Sequence, residues 1–87
     1  MEKTEIRKVL QNPSKELVNI ALGYVNLTDR EKEIIELVEI QGKTEEQAAE
    51  LLEISVRGLQ QTKSSAFEKL SKVWSYNIFI AMLLEKV

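Results

Sequence analysis

Lys43-Thr44-Glu45-Glu46-Gln47-Ala48-Ala49-Glu50-Leu51-Leu52-Glu53-Ile54-Ser55-Val56-Arg57 is the stretch on which the fold turns. Thr44 and Gln47 have the spacing of a capping box, so a short helix is predicted from about Glu45 to Leu52, with Ala48, Ala49, Leu51 and Leu52 as its apolar residues. Glu53-Ile54 then makes a turn, and Ser55 caps a second helix that starts at Val56 and runs to at least Lys72. A small residue, Ala49, stands where the two helices approach most closely, and Ile54 anchors the turn. The second helix has an apolar stripe of Val56, Leu59, Ala66, Phe67 and Leu70, and a polar set of Arg57, Gln60, Gln61, Lys63 and Ser64.

Upstream, Thr28 and Glu31 form another capping box, with Asp29 suited to the positive end of the helix dipole. That helix runs to about Gln41 and buries Ile34, Ile35, Leu37, Val38 and Ile40; Gly42 sits where a residue of positive φ ends it. A first short helix is expected near Lys3 to Leu10, with Ile6, Val9 and Leu10 inward. Asn12-Pro13 reads as an N-cap with proline at the first helical position, opening a helix to about Val25 that buries Leu17, Ile20, Ala21, Tyr24 and Val25. With three glycines and one proline, and no convincing alternation of period two, the chain reads as all-α. The expected architecture is a small helical bundle of five or six helices containing a tetrahelical helix-turn-helix. It is read as one domain over 1–87, with N-terminal helices at 1–26, a helix-turn-helix core at 27–72 and an apolar C-terminal helix at 73–87, bent or broken near Ser75.

Composition narrows the function. There is no cysteine, hence no disulfide or thiolate metal site, and no histidine, the commonest general base near neutral pH. No acidic subset has the loop pattern of a calcium site, so neither a metal nor a cofactor is expected. An enzyme would have to work with carboxylates, lysines and hydroxyls alone, and no catalytic residues are proposed. The charged N-terminus has no signal-peptide apolar region, and the Val73 to Leu84 stretch is shorter than the roughly 20 residues that span a bilayer, so a cytoplasmic location is expected, away from membranes. The net charge is −2, unevenly spread: residues 28–53 carry three basic and nine acidic side chains, residues 54–87 five basic and two acidic. Glu31, Glu33, Glu36, Glu39, Glu45, Glu46 and Glu50 read as a solvated acidic surface or a docking patch for a basic partner.

Two helices joined by a turn of roughly three or four residues form the unit that places its second helix in the major groove of DNA. The string Leu27-Thr28-Asp29-Arg30-Glu31-Lys32-Glu33-Ile34-Ile35-Glu36-Leu37, then Gly42, Glu46-Gln47-Ala48-Ala49 and Ile54-Ser55-Val56, resembles region four of bacterial sigma factors. Ile54-Ser55-Val56-Arg57 and Phe67-Glu68-Lys69-Leu70 also look like the related LuxR-type output domain. The resemblance covers Leu27 to Leu70, about half the chain. It implies a transcription regulator that binds double-stranded promoter DNA, RNA polymerase or both; nothing in the sequence resembles the sigma segment that melts promoters, so a complete sigma factor is not expected. By position, Arg57, Gln60, Gln61 and Ser64 match slots facing the bases or the groove, and Lys43, Thr44 and Lys63 complete the expected DNA-binding set. The chemistry agrees, since arginine pairs bidentately with guanine and glutamine with adenine. The same residues also suit an ordinary solvated helix face.

Four departures from the resemblance point to weak or partner-assisted binding. Glu53 holds a turn slot where glycine is preferred, Gly58 replaces a threonine, Lys63 stands where an aliphatic residue is usually buried, and the terminal basic run is thinned to Lys69 and Lys72. The rival reading is a protein-interaction or dimerisation module that kept the bundle and lost the DNA. The segment Val73 to Leu84 is apolar nearly all round. It either packs between the N-terminal helices and the motif or forms a homodimer interface through Trp74, Ile78, Phe79, Met82 and Leu83.

Overall fold

Each helix of the computed structural model, which describes residues 1–85, starts where the chain can satisfy its first exposed N–H groups. Among the described residues there are six α-helices and no strand: α1 (Lys3–Leu10), α2 (Lys15–Gly23), α3 (Asp29–Ile34), α4 (Glu45–Leu52), α5 (Val56–Trp74) and α6 (Ile78–Glu85). The all-α reading therefore holds. The last two residues of the expected 73–87 segment lie outside the described set.

Two capping boxes form as their spacing predicts. Thr28 Oγ1 accepts from Glu31 N at 3.1 Å while Glu31 Oε1 accepts from Thr28 N at 2.8 Å. Thr44 and Gln47 repeat the exchange at 3.1 and 3.0 Å. Ser55 Oγ accepts from Gly58 N at 3.0 Å and opens α5. The start of α2 corrects the expectation. Its cap is Ser14, which accepts from Leu17 N at 3.3 Å, while Asn12 Oδ1 takes Ser14 N at 2.9 Å. Asn12 thus closes a turn over Pro13, and the helix begins two residues later than proline placement suggested.

The helix from α3 does not stay α-helical. Ile35–Ile40 is a π-helical segment, closed by Gln41 N donating to Glu36 O at 2.9 Å. Gly42 then adopts φ 77°, and Lys43 N reaches back to Leu37 O at 3.0 Å. The extra residue in the turn carries the usual glycine termination one position further around the helix.

The chain divides into two compact units. One is Leu27–Ala66, with Ile34, Ala48, Ala49 and Leu59 buried together and Leu37, Val38, Leu52, Ile54 and Val56 packed against them half-buried. Full burial of side chains the size of Ile34 and Leu59 contributes on the order of 1.5–3 kcal/mol each. The other unit comprises residues 1–26 and the described residues from Phe67 onward. There α1 packs on α2 and α6, and Ile6, Val9, Leu10, Phe67, Leu70, Trp74 and Ile80 are buried. The Trp74 indole N–H donates to Ala21 O at 2.9 Å, which satisfies the one polar atom of that buried ring. The Arg7 guanidinium lies 5.5 Å from the centre of the Phe67 ring.

Burial differs from the expected pattern in two helices. In α2 the inward residues are Val18, Ala21 and Leu22, with Val25 just beyond, whereas Ile20 and Tyr24 are each 48% exposed. Both stripes of this helix are apolar at helical spacing, so periodicity alone does not choose between them; the packing of Ala21 and Trp74 does. In α4, Ala48 and Ala49 are buried but Leu51 is 61% exposed. The acidic set is divided as well: Glu31 and Glu39 are buried, and only the remainder is solvated to varying degrees.

Candidate nucleic-acid interface

Because α5 buries Leu59, Ala66 and Leu70, helical geometry turns Arg57, Gln61 and Ser64 to the opposite side, where each is exposed, and Gln60 is exposed on the flank. These four residues occupy the first half of the helix, directly after the Ser55 cap. Arginine supplies a two-pronged donor, glutamine a donor beside an acceptor, and serine either. The face can therefore read base edges by hydrogen bonding. Thr44 is also exposed at the start of α4, and Lys43 is half-buried just before it. The first N–H groups of a helix suit a phosphate oxygen, although Glu45 and Glu46 in the same turn oppose an anion there.

Lys63 does not stand with the others. Its Nζ lies 2.7 Å from Glu45 Oε2, and its side chain is only 18% exposed. Gln60 Nε2 donates to the other oxygen, Oε1, at 3.0 Å. The Lys63 bond and then the Gln60 bond hold the Glu45 carboxyl below the usual carboxylate range. Glu45, expected within a solvated acidic surface or a docking patch, is instead tied to Gln60 and Lys63 of α5. A lysine at a slot expected to be aliphatic was the one trace of it, because a buried lysine stem needs an acceptor for its ammonium.

The turn between α4 and α5 contains Glu53 at φ 57° and ψ 42°, the left-handed region that the glycine preferred at that slot would adopt without strain. Arg30 Nη1 reaches Leu52 O at 3.4 Å, placing a cation at the carbonyl end of α4. Beyond the turn, Leu37, Leu51 and Leu52 line a shallow groove edged by Glu33, Glu36 and Gln41.

The residues expected to form a homodimer interface are not all on one surface. Trp74 and Leu83 are core residues, at 1% and 7% exposure, because the indole bonds to Ala21 and Leu83 lies on the inward side of α6. Phe79 is half-buried, its ring centre 5.8 Å from that of Tyr24. Ile78 and Met82, one helical turn apart, are exposed. Among the described residues no group of acidic side chains is arranged to hold a metal ion, and no helix is long and apolar enough to cross a membrane.

Residues 26–70 match the family model for Sigma-70, region 4, and the chain belongs to that family. No curated protein and no solved structure matches it.

Proposed function

From membership of the sigma-70 region 4 family, whose domains bind DNA and RNA polymerase, we propose that this protein regulates transcription by reading duplex promoter DNA with α5. Arg57, Gln60, Gln61 and Ser64 contact bases, Lys43 and Thr44 approach the phosphates, and RNA polymerase assists. One observation carries the reading: the polar face opposite Leu59, Ala66 and Leu70 is exposed along the first half of a capped helix. Two copies would pair through Ile78 and Met82 on the outer side of α6, matching a palindromic site.

The test is selection of bound sequences from random duplexes, with and without RNA polymerase, followed by a salt titration on the winning site. Affinity should fall steeply with salt, and Arg57→Ala should weaken it by about 1–3 kcal/mol without loss of helix content. Normal binding by both Arg57→Ala and Gln60→Ala would remove α5 as the reading element.

A second reading has its own observation. The Leu37, Leu51 and Leu52 groove is edged by carboxylates, and the unit that holds it, Leu27–Ala66, carries five basic and nine acidic side chains. Such a surface suits a basic, apolar protein segment better than a polyanion. On this reading the domain binds polymerase or another regulator and selects no DNA sequence at any salt.

A further inference from the structure

Glu45 takes no direct part in the proposed reading, yet both of its carboxylate oxygens are engaged by α5. We infer that Glu45 is a positioning residue for base recognition: it fixes the Gln60 carboxamide in the orientation that reads adenine and withdraws Lys63 from the phosphates. This rests on the proposal that α5 reads DNA.

The orientation follows from the donor and acceptor inventory. A carboxylate only accepts hydrogen bonds, and the Gln60 side chain has one arm that donates and one that accepts. Only the NH2 arm can face Glu45, as it does at 3.0 Å. A flipped amide would set its oxygen against the carboxylate and replace attraction with repulsion. The oxygen is then the arm that Glu45 leaves available, and Nε2 keeps a second N–H. That fixed order of donor and acceptor matches the N7 acceptor and N6 donor of adenine in the major groove. Without Glu45 the amide turns over at little cost, and Gln60 accepts or donates to whichever base edge it meets.

The same carboxylate neutralises Lys63 at 2.7 Å, with the lysine side chain 18% exposed and the glutamate 31%. Partial burial keeps salt from screening the pair as it would an exposed one. Arg57, Gln61 and Ser64 take no part in this clamp and remain exposed. Glu45 therefore acts on two of the candidate contacts in opposite ways, sharpening one and removing the other.

The experiment measures equilibrium affinity for the selected site and for single-base variants at each position, for the wild-type chain, Glu45→Ala, Glu45→Gln, Gln60→Ala and the Glu45→Ala/Gln60→Ala double variant. In wild type, replacing the adenine read by Gln60 should cost roughly fivefold or more. In Glu45→Ala that preference should fall to near onefold at this position alone, while the salt slope steepens by about one phosphate as Lys63 is released. Adding Glu45→Ala to Gln60→Ala should change base preference no further. A merely structural role would weaken all positions together and leave the slope unchanged. Wild-type base preference in both Glu45 variants overturns the inference while leaving α5 as the reader. Absence of any selected site for the wild-type chain removes the parent reading and this one together.

Discussion

Glu53 is the sole non-glycine residue among those described to hold a positive φ. Its Cβ in the left-handed region costs about 1–2 kcal/mol, which glycine would not incur. Glu53→Gly should raise the unfolding free energy by about 1 kcal/mol, whereas Glu53→Gln, which removes the charge but keeps the Cβ, should not. Equal effects of the two substitutions in denaturant titration would place the cost in charge rather than in backbone. Glu45 gives a second test at this scale. Its carboxyl is held below its unfolded value, so the native state binds its proton later than the unfolded state does. The stability this contributes is present above the ordinary glutamate value of about 4.3, and is lost as the pH falls through the lowered folded value. Lys63→Met should flatten the acid side of a stability curve followed by urea midpoint. A curve as steep as that of wild type would mean that other carboxylates govern it. From the sequence alone, Arg57, Gln60, Gln61 and Ser64 could be placed on one exposed face, because helical phase needs only a start and an apolar stripe. The role of Glu45 could not, since it is made by residues 15 and 18 positions away on another helix.

At the level of elements, what could be read in advance was what local chemistry decides. Thr28, Thr44 and Ser55 each open a helix because an oxygen three residues before an unsatisfied N–H is a local arrangement. Gly42 ends one because positive φ is a property of a single residue. The inward stripe of α2 was legible only in part: Ala21 and Val25 are buried as expected, but Val18 and Leu22 are inside where Ile20 and Tyr24 were expected, because both sides of the helix carry apolar residues and tertiary packing made the choice. The π segment Ile35–Ile40 escaped too, since its apolar residues, with Glu36 and Glu39 three apart, suit an ordinary α-helix equally well. Gly58 N has Ser55 Oγ as its cap, and glycine there already lowers helix propensity. Ser55→Ala should cost about 1 kcal/mol in stability and loosen hydrogen-exchange protection over the first turn of α5. Unchanged protection would show that packing of Val56 and Leu59 holds that turn without the cap. A methyl at Gly58 would meet Ser55 Oγ at 3.1 Å, so gaining helix propensity there disturbs the very cap that starts the helix.

For the whole molecule, the open question of the C-terminal segment resolves into two faces of α6. Ile80 and Leu83 are inside, which accounts for half of an apolar helix; Ile78 at 80% and Met82 at 53% exposure account for the other. In the same unit Ile20 of α2 and Tyr24 just beyond it are also exposed, and the Tyr24 ring meets Phe79 of α6. Scattered exposed apolar residues are ordinary, so a measured mass has to decide whether this surface is covered. The choice of substitution decides whether the test means anything. A polar residue at Trp74 or Leu83 would disrupt the core and lower the mass of any assembly merely by unfolding it. Ile78→Glu together with Met82→Glu alters only exposed positions, so helix content should be retained. If two copies pair here, light scattering should give twice the chain mass for wild type and the single mass for the double variant. Pairing should also double the number of half-sites protected on DNA, and the variant should protect one. A wild-type chain that scatters as a monomer at every concentration would leave α6 as a purely intramolecular support and assign recognition to a single copy of α5.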